Sequence, residues 1–346
     1  MSILIAPKVL DWFDIYGRKD LPWQKQLLPY PVWISEIMLQ QTQVTTVIPY
    51  FKRFIERFPT VRDLAEANLD DVLALWTGLG YYARARNLHK TAMMIMQDWA
   101  GVMPTRQSDL MTLPGIGRST AAAIAAICHG EAVAILDGNV KRVIARHFAV
   151  GGWPGQSSTL RALWTHAEAQ TPNKRIADYT QAMMDLGATV CTARHPACHA
   201  CPIRSSCSAR KTARIDEYPG KKPKKVKPKK STAMLIVRTR GGDIRLVQRP
   251  AQGIWGGLFS FPECPLDELE TKLPSSAVSV IKLPAFKHQF THFELTIQPV
   301  LIDIKRRQDV PKVPNGTWLG SNQHPGFGLS RPAERLIKIV TELPFS

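Results

Sequence analysis

Four cysteines, Cys191, Cys198, Cys201 and Cys207, follow one another in the pattern Cys-x6-Cys-x2-Cys-x5-Cys. Thiols this close in sequence form a four-thiolate metal site rather than scattered disulfides, and by spacing alone zinc and an iron–sulfur cluster are both compatible. Pro196 and Pro202 shape the loop, and Arg194, Arg204, Arg210 and Lys211 surround it with positive charge suited to nucleic acid. Cys128 and Cys264 stand apart and read as small apolar residues. Upstream, Leu113-Pro114-Gly115-Ile116-Gly117-Arg118-Ser119-Thr120 opens with a Pro-Gly-x-Gly turn that leads into an Ala- and Ile-rich run. Glycine there allows a tight turn and a close approach, and the free N–H groups of the following helix suit a phosphate. Asp137-Gly138-Asn139 breaks an apolar run ahead of Val140-Lys141-Arg142. Taken alone, Asp137 fits the N-cap of a short basic helix.

The elements that must hold these groups read as helices up to Gly187. The spacing predicts helices over 8–16, 32–54 (one helix, or a pair broken at Pro49), 64–76, 83–99, 108–113, the 120s, 140–148, 158–170 and 176–186. In the second of these, Trp33, Ile37, Val44 and Ile48 form one apolar stripe, with Glu36 on its flank and Gln41 inside it. A glutamine within such a stripe marks either the end of the stripe or a specific task for the amide. Gly78 to Asn87 holds two glycines, Tyr81, Tyr82, Arg84 and Arg86, a combination suited to inserting between bases beside phosphates. Prolines and lysines over 211–231 read as an extended, solvated linker. Beyond it, short β-type runs at 233–237, 244–248, 258–261, 278–283 and 293–304, with helices at 266–272 and 332–343, predict a separate α+β domain.

Composition agrees with a nucleic-acid partner. The 346 residues carry a formal net charge of +17, and Lys and Arg in such excess release counterions from a polyanion. The N-terminus is too short for a signal h-region and is stopped by Pro7, and no stretch reaches the length of a membrane span. The expectation is a soluble, intracellular chain of two or three domains.

In this order the motifs resemble the helix-hairpin-helix DNA glycosylases, and over essentially the whole chain the bacterial MutY type of adenine DNA glycosylase. The resemblance is carried by Trp33 to Val44, Gly78 to Asn87, Leu113 to Thr120, Leu136 to Arg142 and the four cysteines. Trp255-Gly256-Gly257-Leu258 and Phe286-x-His288-x-Phe290-Thr291-His292-Phe293 complete it. It implies an all-α helix-hairpin-helix core with an iron–sulfur loop, plus a C-terminal α+β Nudix-like domain. The cluster domain would take 1–25 and 131–210, and a six-helix barrel 26–130. The linker would take 211–231, and an 8-oxoguanine-recognition domain 232–346.

The activity implied is removal of adenine mispaired with 8-oxoguanine or guanine in double-stranded DNA, by a cytoplasmic, nucleoid-associated monomer with no membrane attachment. Adenine must first be flipped out of the duplex. By the same resemblance Glu36 protonates the departing purine, and its place beside Trp33 and Ile37 raises its pKa toward that task. Asp137 stays ionised against the sugar cation, a division of labour parallel to glycoside hydrolysis. Gln41 and Tyr81 would wedge around the 8-oxoguanine, Trp23 would line the adenine pocket, and Asn139 would stand at the second helix start. Gly115 and Gly117 would offer N–H groups to a phosphate, and the four cysteines would hold a [4Fe–4S] cluster.

Two departures from related families narrow the chemistry. Bifunctional relatives of the endonuclease III type place a lysine nucleophile at the seventh position of the Leu-Pro-Gly motif. Here that position is Ser119, so an amine for Schiff-base lyase chemistry is missing. Nudix hydrolases need a glutamate-rich Arg-Glu-x-x-Glu-Glu helix, which Pro265 to Ser275 lack. The last domain is therefore expected to recognise the oxidised base without hydrolysing nucleotides. Thr291 and His292 are its candidate readers, with Thr291 where many relatives have serine.

Overall fold

The computed structural model describes residues 4–223, 226–321, 323 and 325–345. The first three residues, and Lys224 and Lys225 of the expected linker, lie outside that set. The chain divides into two compact units, Met1–Glu66 with Asn87–Lys224, and Ala67–Arg86 with Lys225–Ser346. The expected cluster and barrel domains thus share one unit, apart from Ala67–Arg86, which groups with the C-terminal residues.

In chain order the helices up to the linker are α1 (Ala6–Tyr16), α2 (Pro29–Leu39), α3 (Val44–Arg57), α4 (Val61–Glu66), α5 (Leu69–Trp76), α6 (Ala83–Asp98), α7 (Gln107–Leu110), α8 (Arg118–His129), α9 (Gly138–Phe148), α10 (Ser157–Gln170), α11 (Ile176–Asp185) and α12 (Ser208–Lys211). In the first unit, α8 is the central helix. Its residues 121–126 are all buried, and their small side chains let α2, α7 and α11 approach closely. Val9 and Phe13 of α1, Val140 and Ile144 of α9, and Tyr179 and Met183 of α11 share one apolar core with Ala123 and Ala126.

Two expected helices are interrupted. The run 64–76 is broken by Asn68, whose side chain caps α5 by accepting from the Asp70 N–H at 3.1 Å. The run 32–54 breaks at residues 40–43, between α2 and α3, whereas Pro49 lies inside α3. Gln41 therefore leaves the apolar stripe altogether. It is exposed on the intervening turn with φ +60°. A left-handed backbone at that point ends the helix where the stripe alone would carry it on.

The second unit is built on a mixed sheet of β1 (Lys229–Thr239), β2 (Ile244–Gln248), β3 (Phe259–Ser260), β4 (Glu263–Cys264), β5 (Ser279–Lys282), β6 (Phe286–Gln289), β7 (Glu294–Ile304) and β8 (Gly316–Leu319). The order is β3-β2-β1-β7-β5, with β4 paired to β1, β6 to β7 and β8 to β2. The central strands β1 and β7 are parallel. Over 233–237 and 300–302 their apolar runs are continuous because both faces are covered there. On one face Met234, Ile236 and Ile297 meet Leu336 and Val340 of α14 (Arg331–Glu342). On the other, Ala233, Leu235 and Ile302 meet Leu269 of α13 (Leu269–Lys272). The buried Arg238 clamps Asp303 through Nε and Nη2 at 2.8 and 2.9 Å, and donates to the carbonyls of Val340 and Leu343 at the end of α14. A buried ion pair with its remaining donors used in this way avoids the cost of isolated charge. Among the described residues, no helix is long and apolar enough to cross a membrane.

Candidate active site

Pro29 in the first turn starts α2, and the helix buries Trp33, Ile34, Ile37 and Met38. That packing leaves Glu36 at the wall of a cavity of about 190 Å³, where Phe13, Trp23 and Ile127 supply apolar surface and Gln24 and Gln181 supply amides. The volume falls below that of drug-sized sites and suits a single planar heterocycle. Trp23 is itself buried and meets Phe51 edge to face at 5.3 Å between ring centroids, so the indole is fixed. Burial, and after it the charge of Asp137, pushes the Glu36 carboxyl up from 4.5 to about 8.

Asp137 is the N-cap of α9. Its Oδ1 accepts from the Val140 N–H at 2.7 Å and its Oδ2 from the Asn139 side-chain amide at 3.2 Å. Burial raises its pKa, while these donors, the Asn139 backbone N–H and the Arg142 charge act in the opposite direction. Glu36 has no such set of opposing donors. Burial outweighs the donors and the net shift of Asp137 is upward, but those donors favour its anion, and the Asp137 charge adds to what holds the proton on Glu36. The N-cap and ionised-carboxylate readings of Asp137 are one arrangement: the bonds that cap the helix stabilise the anion.

The surroundings of Asp137 are fixed from three sides. Asn139 Oδ1 accepts from Arg142 Nη2 at 3.0 Å, and Arg142 also donates to the carbonyls of Gly187 and Cys191, at 2.5 and 2.6 Å. Gly187 lies in a π-helical turn, Leu186–Val190, that continues α11. A Cβ there would stand 2.6 Å from Asn139 Cβ and 2.8 Å from its carbonyl oxygen, so only glycine permits the approach. From α8, the Ser119 hydroxyl accepts from the Leu136 N–H at 3.2 Å. The lyase position thus carries a hydroxyl engaged with the backbone directly before Asp137.

The Pro-Gly-x-Gly segment forms the expected turn. Ile116 N–H donates to the Leu113 carbonyl at 3.2 Å, and Gly115 has φ +80°, the geometry of a type II turn with glycine at its third position. Gly117 is the N-cap of α8 without a capping side chain. The helix start is accordingly open to an external anion.

Tyr81 and Thr291 belong to the second unit. Tyr81 is exposed at φ +52° between Gly80 and Tyr82. Thr291 and His292 are exposed at the tip of the β6–β7 hairpin, where the Phe290 N–H donates to the Phe293 carbonyl at 2.9 Å.

The four cysteines line one small cavity with Arg146, Pro196 and Arg204. Burial pushes the Cys201 thiol up to about 11 and raises Cys207 as well. Thiols in that setting release their protons when a cationic metal centre takes the thiolates. Arg146 Nη1 donates to Cys191 Sγ at 3.4 Å and to the Thr192 carbonyl at 2.7 Å. Among the described residues no three His, Cys, Asp or Glu side chains converge on a single ion. A cluster does not require that, because each iron takes one thiolate. The donor set and the cavity fit an iron–sulfur cluster.

Sequence reasoning missed part of the cavity wall. Gln181 donates from Nε2 to Asp185 Oδ1 at 2.9 Å, and the buried Asp185 also accepts from the Arg18 N–H at 2.8 Å and from Arg18 Nη2 at 2.6 Å. Gln24 and Gln181 are polar residues in otherwise ordinary helical segments, so no local pattern marks them. Their role comes only from what α11 and the Pro22–Gln24 turn face.

Fold and site together define a class. Residues 34–169 match the model of the HhH-GPD superfamily base excision DNA repair protein, 191–207 the iron-sulfur binding domain of endonuclease III, and 233–338 the NUDIX domain. The segment 191–207, which contains Cys191, Cys198, Cys201 and Cys207, is the [4Fe–4S] cluster-binding segment. The chain is 38% identical over 340 residues to an adenine DNA glycosylase of Buchnera aphidicola subsp. Schizaphis graminum, covering 96% of this chain and 97% of that protein. It is 32% identical over 398 aligned positions to the adenine DNA glycosylase of Homo sapiens, covering 96% and 73%. The chain belongs to the adenine DNA glycosylase family. Among solved structures, a thermostable thymine-DNA glycosylase matches 60% of this chain and 95% of its own, at TM-score 0.55 and 27% identity. A non-covalent endonuclease III–DNA complex matches the fold of the same share at TM-score 0.52 and 23% identity.

Proposed function

We propose that this protein is a monofunctional DNA glycosylase of base excision repair that excises adenine mispaired with 8-oxoguanine or guanine. The observation that carries the reading is the pairing of Glu36, protonated to about pH 8 at the wall of a base-sized cavity, with Asp137, whose hydrogen bonds favour its anion. Adenine flipped into the cavity meets the fixed face of Trp23 and the amides of Gln24 and Gln181. Glu36 gives its proton to N7 of the base. The C1′–N9 bond breaks with its electron pair leaving on the purine, and the Asp137 carboxylate faces the sugar cation. Water adds at C1′ and its proton returns to Glu36. Opposing pKa demands on two carboxylates are the general requirement of such acid-assisted bond cleavage.

The remaining assignments belong to the same proposal. Gly115 and Gly117 hold a phosphate at the start of α8. Gln41 and Tyr81 enter the duplex, and Thr291 and His292 read the oxidised base. The last domain does not hydrolyse nucleotides, since Pro265 to Ser275 lack the metal-binding glutamates. The [4Fe–4S] cluster orders the loop around Arg194 and Arg204 against DNA. The protein acts as a cytoplasmic, nucleoid-associated monomer.

A single-turnover assay tests the reading, on duplexes with adenine opposite 8-oxoguanine, guanine or thymine, with and without alkali. Release from the first two, with strand breaks only after alkali, is expected because Ser119 offers no amine. Breaks without alkali would make the enzyme bifunctional, and tight binding without release would make it a lesion-binding protein.

A further inference from the structure

Ala67–Arg86 groups with the C-terminal residues, and its bonds there reach the end of β2 and two loops. Gln248 Nε2 donates to Asp70 Oδ1 at 3.3 Å, and the Tyr82 hydroxyl to the Leu329 carbonyl at 3.3 Å. Arg86 Nη1 donates to the Gly256 carbonyl at 2.6 Å. Tyr81 sits on a loop that is braced from within. Arg84 Nη2 donates to the carbonyls of Leu79 and Gly80 at 3.3 and 3.1 Å, Trp76 Nε1 donates to Gly80 at 3.2 Å, and the Arg84 guanidinium lies 5.6 Å from the Tyr81 ring.

The loop that Arg86 holds is tight. The Gly257 N–H donates to the carbonyls of Arg249 and Pro250, at 3.2 and 3.1 Å. A Cβ on Gly256 would stand 2.3 Å from the Ala251 carbonyl oxygen. Trp255 is at φ +53°, a region that a bulky side chain rarely enters. The strained backbone directs the indole onto two rings of the β6–β7 hairpin, 5.3 Å from His288 and 5.1 Å from Phe290. Phe290 stacks on Phe293 at 4.5 Å. These two phenylalanines are the feet of the turn that presents Thr291, and Lys227 Nζ fixes the Phe290 carbonyl at 2.8 Å.

We infer that Arg86 and Trp255 are positioning residues that join the Tyr81 loop and the Thr291 turn into a single reader of the lesion-bearing strand. The coupling runs from the Arg86 guanidinium through the Gly256 carbonyl and the Trp255 indole to Phe290. The inference rests on the proposal that Tyr81 and Thr291 contact that strand, and it goes further: selectivity for 8-oxoguanine over guanine belongs to both loops at once.

The test uses the full-length, cluster-loaded protein in single-turnover release of adenine opposite 8-oxoguanine and opposite guanine. The variants are Y81A, T291A, R86M, R86K, W255L and W255F, with thermal midpoints recorded for each. R86M and W255L are expected to lower the 8-oxoguanine preference by about 3- to 30-fold, within the span of ordinary pairwise couplings. R86K, which keeps a donor, and W255F, which keeps a ring, should retain most of it. Adding T291A to R86M should change the preference by less than about twofold, because the loops already act separately. If T291A lowers the preference while R86M and W255L stay within about twofold of the unmodified protein, the coupling does not exist and the lesion-reading role stands. If Y81A and T291A both keep the full preference, that role fails and the inference falls with it. An equal loss on both duplexes in R86M, with a salt slope reduced by about one, would make Arg86 a phosphate contact instead.

Discussion

Glu36 and Asp137 differ in what surrounds each carboxylate, and the difference has a thermodynamic signature. Glu36 is raised from 4.5 to about 8, first by burial and then by the Asp137 charge. Between those values the folded protein keeps a proton that the unfolded chain has released. Folding stability contributed at this site is therefore lost as pH rises through that window and is intact below it. Glu36→Gln removes the titration, so relative to the unmodified protein it should gain about 4 kcal/mol at pH 8 over its value at pH 4. Urea unfolding at the two pH values measures this. A difference independent of pH would mean that Glu36 titrates normally. In the proposed mechanism the same proton passes to the base, so adenine release should decline above about pH 8, and the glutamine variant should be slower by about 10²- to 10⁴-fold. Asp137→Asn separates capping from charge. Asparagine caps helices as well as aspartate does, so the variant should keep its thermal midpoint and its mismatch affinity while losing base release. An active Asp137→Asn protein would remove the carboxylate from the mechanism.

At the level of elements, the site is assembled from helix ends. Glu36 lies in the last two turns of α2, Asp137 caps α9, and Gly117 starts α8. The π-helical turn after α11 presses Gly187 against Asn139. Gly187→Ala should cost about 1–3 kcal/mol of stability through overpacking. It should also reduce base release more than DNA binding, because the atoms displaced are those that hold Asp137. Normal turnover in that variant would show that the approach of the π turn is not needed for catalysis. Most of these elements could be read from sequence because their signals are local. The breakers at 113–117, the cap at Asp137, the alanine run and the cysteine spacing each act within a few residues. What could not be read depends on distant partners. The end of α2 at Gln40 opposes an unbroken apolar stripe, and β4 is two residues long and exists only through its pairing with β1. Strand β6 alternates around His288 without a strong apolar face, and its register comes from β7. Gln181 joins the cavity only because Asp185 and Arg18 hold it there.

Across the whole molecule, the cysteine segment and the segment that holds Asp137 are tied by arginines. Arg142 donates to both Gly187 and Cys191, and Arg146 to Cys191, Thr192 and Ala193. Loss of a ligand, as in Cys201→Ala, should therefore do more than free one loop. It should abolish iron content and visible absorption, weaken DNA binding, and also depress base release, since the acceptors that fix Arg142 are no longer ordered. Iron analysis, binding and single-turnover release on one preparation test this. Full catalysis without iron would confine the cluster to a role away from Asp137. The division of the chain has another outcome, which concerns synthesis. Ala67–Arg86 leaves the ribosome long before residues 225–346, with which it packs. At ordinary rates of elongation the interval is on the order of ten seconds. Through that interval Leu73 and Tyr82 are without Gly257, Gly328 and Leu329, their neighbours in the finished chain, so this stretch reaches its final packing late. A nascent chain halted before residue 225 should expose this stretch to protease, and release of the finished chain should close it.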